Sequence, residues 1–109
     1  MFGFSFGPKS VSVTEAHEQL GKEGCCLLDV RTKEEVRDIA VPGAINVPLD
    51  RLTSEASRLA DYTTIYVMCR SGGRSAVATN LLHSLDMTQA VNVTGGILAW
   101  QDAGLPTKG

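Results

Sequence analysis

The chain has 109 residues, the size of one domain, and two separate cores of half that size would each be marginal. Ten Lys and Arg against 12 Asp and Glu give a net charge of −2, which argues against a broad polyanion-binding face and against a nucleic-acid partner. A hydrophobic content of 43% fits a globular chain, and no apolar run reaches the roughly 18 residues of a membrane span. Met1 to Ser10 lacks both a basic segment and an apolar run, so no secretory signal is expected and a cytoplasmic location is. The three cysteines form no Cys-x-x-Cys pair, so reduced thiols are expected rather than a disulfide framework, a metal site or a cofactor.

Residues 1–10 read as an N-terminal tail or arm, and residues 11–107 as one domain. All three phenylalanines, Phe2, Phe4 and Phe6, lie in the arm at period 2. A frayed tail on a monomer is the plain expectation, and a dimerising arm is the sharper one. Ser12-Val13-Thr14-Glu15 sets a hydroxyl at an N-cap with Glu three residues later, predicting a helix to about Lys22 that stops near Gly24. Cys25 to Val30 is a short apolar run of the kind that forms a buried parallel strand. Thr32 to Glu35 repeats the capping pattern, and Pro42-Gly43 marks a turn before a short strand at Ala44 to Val47. Leu49, Leu52, Ala56, Leu59 and Ala60 have helical spacing. Thr64 to Met68 is the strongest strand. A helix is expected from about Ser75 to Leu85, with Val77, Leu81 and Leu85 stacked and Ala78 and Leu82 beside them. Ala90 to Val93 reads as another strand, and Ile97 to Ala103 as a last helix. Alternating strands and helices imply α/β architecture with a parallel sheet and helices on both faces. Ligands of such sheets bind beyond the carboxyl ends of the strands, which is where Cys69 lies.

Cys69-Arg70-Ser71-Gly72-Gly73-Arg74-Ser75 joins that strong strand to a helix. Gly72 and Gly73 tolerate positive φ, which lets the loop turn several N–H groups inward as an anion-binding nest. The helix adds unpaired N–H groups, and Arg70 and Arg74 add cations. A free thiol has a pKa of about 8.5, and such a cradle pushes it toward thiolate. The bland alternative is a buried structural cysteine before an ordinary turn.

This loop resembles the active loop of single-domain rhodaneses, a family of sulfurtransferases. Four further pieces match in order: Leu28-Asp29-Val30-Arg31, Pro42-Gly43-Ala44-Ile45-Asn46-Val47-Pro48, Gly95-Gly96-Ile97-Leu98-Ala99-Trp100 and Gly104-Leu105-Pro106. One departure is that Ile39-Ala40 stands where the family usually carries Gly-His. The resemblance implies a single five-stranded parallel sheet with helices on both faces. It also implies that Cys69 takes the outer sulfur of thiosulfate or another small anionic donor as a persulfide. A thiol or cyanide acceptor, or a sulfur-relay protein, then removes that sulfur. The loop N–H groups from Arg70 through Ser71, Gly72 and Gly73 to Arg74 are expected to hold the persulfide, with Ser75 completing the loop. Arg70 is expected to meet the donor and Arg74 to brace the loop, with Asp29 as the ion-pair partner of Arg74. Asp29 and Arg31 are candidates for bracing the loop, and otherwise read as a solvated strand end and helix start.

Phosphatases and arsenate reductases use a related cradle, but their loops place five residues between Cys and Arg where this one has four, giving a tighter pocket. A Cys–His enzyme is disfavoured because His83 lies about 12 Å along the helix from Ser75, while His17 reads as a surface residue. Cys25 and Cys26, adjacent in a strand, point to opposite faces and cannot chelate together. A non-catalytic binding or regulatory module is the remaining alternative. Trp100 reads as core on the last helix.

Overall fold

The computed structural model describes residues 9–109, so the Phe2, Phe4 and Phe6 arm lies outside the described residues. Five strands form one sheet: β1 (Ser10–Val11), β2 (Cys25–Asp29), β3 (Ile45–Asn46), β4 (Thr64–Met68) and β5 (Ala90–Val93). Their order is β1-β5-β4-β2-β3, and every pairing is parallel. The two residues of β1 are too few to show a period, so the sequence pattern misses them. They become a strand only because Ser10 and Val11 align with Asn92 and Val93 at the sheet edge.

The helices are α1 (Val13–Gln19), α2 (Lys33–Asp38), α3 (Leu52–Glu55), α4 (Gly73–Ser84) and α5 (Gly96–Asp102). Short 3-10 turns at Leu49–Arg51 and Ala56–Leu59 flank α3, where the spacing predicts one continuous helix. The predicted caps form: Ser12 Oγ accepts from the Glu15 N–H, and Thr32 with Glu35 completes a reciprocal capping box.

Alternate strand residues feed two cores, one on each face of the sheet. Cys26, Leu28, Ile65, Val67 and Ala90 pack with Leu52, Ala56 and Leu59 and with Ala78 and Leu82 of α4. Leu27, Tyr66, Met68, Val91 and Val93 pack with Val13 and Ala16 of α1 and with Ile97 and Trp100 of α5. Cys25 packs against this second core while Cys26 lies in the first, the opposed arrangement expected of neighbours in a strand. Burying one such Leu or Ile side chain contributes about 1.5–3 kcal/mol. The indole N–H of Trp100 donates to the Pro106 carbonyl at 2.7 Å. Among the described residues, no helix is long and apolar enough to cross a membrane.

The orientation of α4 departs from expectation. Val77 and Leu85 are 57% and 39% exposed, whereas Ser75, Ala78, Thr79 and Leu82 are buried. These four share one face at i, i+3, i+4 and i+7. That face lets the first turn of the helix reach the strand end with Ser75, a demand that the hydrophobic stripe alone does not reveal.

Candidate active site at the β4–α4 loop

Asp29 and Met68 are paired across β2 and β4, so both strands end at the same edge of the sheet. Cys69 follows Met68 directly and is only 1% exposed. The chain then turns through Gly72, whose φ of +113° is in the region open to glycine, and enters α4. Gly73 does not share that role: it is the first helical residue, has no positive φ, and has open space where a Cβ would stand.

Gly72 is the N-cap of α4 and has no side chain to accept from the helix N–H groups. Cys69 Sγ takes that place. It accepts the Gly72 N–H at 3.1 Å and lies 3.4 Å from Ser75 Oγ. With the thiol protonated, the Ser75 hydroxyl accepts the S–H and itself donates to the Gly72 carbonyl at 3.1 Å. Rotating that hydroxyl turns it into a donor to a thiolate. Burial pushes the Cys69 thiol up, but hydrogen bonds from the Ser75 side chain and from the N–H groups of Ser75, Gly72 and Ser71 outweigh it. The net effect holds the thiol below its ordinary value. By contrast, burial pushes Cys26 up to about 12, as suits a core thiol.

The two arginines differ. Arg74 is bound bidentately by Glu35, at 2.7 and 2.9 Å. Arg70 is exposed and has no ion pair among the described residues. The expected pairing of Asp29 with Arg74 is therefore corrected. Asp29 instead faces Arg31, whose Nη2 lies 2.8 Å from Asp29 Oδ2. Both are buried, at 1% and 2% exposure, rather than solvated. Asp29 also accepts the Arg31 N–H, and Arg31 donates to the Ile39 carbonyl at 2.7 Å. The pair is local because Asp29 ends its strand two residues before Arg31 and captures it there. It ties the end of β2 to the end of α2 and does not touch the sulfur.

Glu35 is the site residue that sequence reasoning missed. Its pattern with Thr32 marks a helix cap, and that cap forms, with Oε1 accepting the Thr32 N–H at 3.1 Å. The same carboxylate also reaches across the fold to Arg74. Hydrogen bonding from Arg74 leads, and burial is outweighed, so Glu35 drops from an ordinary 4.5 to about 2. Nothing local signals this second bond, because its partner is 39 residues away.

Under the loop, the start of α5 supplies a backing. Ile97 N–H donates to the Cys69 carbonyl at 2.9 Å and Leu98 N–H to the Arg70 carbonyl at 3.1 Å. Gly96 allows this approach: a Cβ there would land on those two carbonyls, and its φ is +59°. Neither histidine joins the site. His83 Nε2 lies 2.8 Å from the Ala90 carbonyl, and the His17 ring meets Trp100 edge-on at 5.4 Å.

Comparison with known proteins identifies the family. The chain is 42% identical to the Arabidopsis thaliana protein named thiosulfate sulfurtransferase 16, chloroplastic, over 93% of each chain. It is 31% identical to the human protein named thiosulfate:glutathione sulfurtransferase, covering 86% of this chain and 94% of that one. A rhodanese-related protein of Thermoplasma volcanium superposes with a TM-score of 0.83 at 30% identity, covering 92% and 97% of the two chains. The family model described as Rhodanese-like domain matches residues 12–103, and the chain belongs to that family.

Proposed function

We propose that this chain moves a sulfane sulfur from thiosulfate or a persulfide donor to a thiol or to cyanide, through a persulfide on Cys69. Family membership and the sulfurtransferase names of its relatives support transfer of sulfur in general. The observation that carries the finer reading is the placement of Cys69 Sγ as the hydrogen-bond acceptor at the N-terminus of α4. A sulfur held there is favoured as an anion both before and after it gains a second sulfur.

In the first half-reaction the Cys69 thiolate attacks the outer sulfur of thiosulfate. An S–S bond forms to Sγ, the donor's own S–S bond breaks, and sulfite leaves with that electron pair. The protein carries a persulfide anion, so charge is conserved. Arg70, exposed and free of ion pairs among the described residues, is the cation that meets the donor. Arg74, already bound by Glu35, braces the loop. This arrangement disfavours phosphate chemistry, because the arginine that would cradle a phosphate is engaged.

The test is intact-protein mass after incubation with thiosulfate, with Cys69→Ser alongside. One added sulfur on the parent alone, removable by cyanide, is the expected result. No added sulfur from thiosulfate or from a persulfide donor overturns the proposal and leaves a binding role for the loop. Arg70→Gln is expected to lower kcat/KM for thiosulfate by about tenfold, the scale of one charge-assisted hydrogen bond.

A further inference from the structure

Residues 105–109 tie the end of α5 to the end of α2. Leu105 packs on the second core, and its N–H donates to the Trp100 carbonyl at 3.2 Å. The Pro106 carbonyl accepts the Trp100 indole N–H. Further along, Lys108 and Ala40 exchange both of their main-chain hydrogen bonds, each at 2.8 Å, as an isolated antiparallel bridge. Gly109 lies so close to the chain leaving α2 that a Cβ there would strike the Asp38 carbonyl and the Ile39 Cα. Ala40 is buried, so without Lys108 its N–H and C=O would lose their partners away from water. Ile39-Ala40 is also the place where the sequence departs from the usual Gly-His.

The two elements joined in this way are the two that grip the candidate loop. α5 holds its near end, with the Ile97 N–H on the Cys69 carbonyl and the Leu98 N–H on the Arg70 carbonyl. α2 holds its far end, through Glu35 on Arg74. α2 has six residues and buries none of them. A helix that short has little stability of its own, and with no buried side chain its place depends on polar ties. Arg31 Nη2 on the Ile39 carbonyl is one, the Glu35–Arg74 pair is another, and the Lys108–Ala40 bridge is a third. Of these three, the bridge is the one that leads to α5, through Pro106 and Trp100.

We propose that residues 105–109 act as a positioning strap for the candidate loop, with the Lys108–Ala40 bridge setting where α2 sits relative to α5. The proposal rests on the reading of Cys69 as the sulfur-carrying residue. With the bridge closed, Glu35 holds Arg74 while Ile97 and Leu98 hold the other end of the loop. The first turn of α4 is then kept where the Gly72 N–H and the Ser75 hydroxyl meet Sγ. With the bridge open, α2 loses its link to α5, Arg74 follows Glu35, and the donors drift from the sulfur. The thiolate is then less favoured and attacks less often. Donor binding is spared, because Arg70 is exposed and has no ion pair among the described residues. The strap therefore acts on the rate of the sulfur step and not on affinity for the donor.

Lys108→Pro removes the N–H that donates to the Ala40 carbonyl, at an exposed position outside the loop, and Lys108→Ala leaves the main chain intact. The readouts on the full chain are amide hydrogen exchange at Ile97 and Leu98, the pH midpoint of iodoacetamide alkylation at Cys69, and kcat and KM for transfer from thiosulfate to cyanide. Lys108→Pro is expected to speed exchange at Ile97 and Leu98 and to lower kcat, each about fivefold, the scale of one main-chain hydrogen bond. Its alkylation midpoint is expected to rise, and its KM for thiosulfate to stay at the parental value. Lys108→Ala is expected to match the parent in every readout. A parental midpoint in Lys108→Pro, with or without faster exchange, would make the bridge merely structural and overturn the proposal. So would a raised KM at unchanged kcat, or an equal change in Lys108→Ala. A parent that never acquires sulfur marks a failure of the proposed function instead, and the exchange and alkylation readouts still decide the strap.

Discussion

Glu35→Gln separates the two jobs of one carboxylate. The glutamine retains a side-chain oxygen that can accept from Thr32, but it removes the charge that binds Arg74. Glu35 falls from 4.5 to about 2 in the folded chain, chiefly through the Arg74 hydrogen bond. At about 1.36 kcal/mol per pH unit that drop is worth roughly 3 kcal/mol as an upper bound. The Arg74 side chain is 38% exposed, so solvent screening reduces this to about 1–2 kcal/mol. Because folding depresses the Glu35 pKa, its stabilisation is complete above the unfolded value near 4.5. It is lost as pH falls through the folded value near 2. Parent and Glu35→Gln are compared in thermal and urea unfolding across that window. Near neutral pH the variant is expected to melt about 4–8 °C lower. The gap is expected to narrow steadily as pH falls from about 4.5 toward 2. A gap that is constant with pH would refute the ion pair as its source and point to the cap instead.

Ser75→Ala removes the hydroxyl 3.4 Å from Sγ, a hydrogen bond that favours the thiolate, and is expected to raise the thiol pKa of Cys69. The readout is the pH dependence of alkylation by iodoacetamide, and an unchanged midpoint would show that the backbone N–H groups suffice. Gly96→Ala drives a methyl into the Cys69 and Arg70 carbonyls at a positive φ, so a loss of at least about 2 kcal/mol in urea unfolding is expected. Parental stability would contradict the close packing of α5 under the loop. Asp29→Asn leaves Arg31 buried without its countercharge and is expected to cost about 3–5 kcal/mol. A loss below about 1 kcal/mol would mean that the pair is solvated in solution.

Much of this molecule is written in short stretches of its sequence. Cys25 to Asp29 and Thr64 to Met68 are strands because apolar residues crowd four consecutive positions in each. The caps at Ser12 and Thr32 are spelled by a hydroxyl and a glutamate three residues apart. The candidate loop at Cys69 is legible for the same reason, since cysteine, glycine and a helix start are neighbours along the chain. Tertiary structure decided what depends on partners distant in sequence. Arg74 reached Glu35 rather than Asp29, because Asp29 had a guanidinium two residues away and Glu35 arrived from across the fold. Ser10 and Val11 became a strand only where β5 offered its edge. The face of α4 turned Ser75 inward and Val77 outward, because closing a cap on Cys69 Sγ fixes the first turn, whichever side carries the larger apolar residues. Local chemistry sets which residues can react and where elements begin. Long-range packing sets which charges remain free to meet a substrate, because Arg74 is engaged by a carboxylate 39 residues away while Arg70 has no ion pair among the described residues.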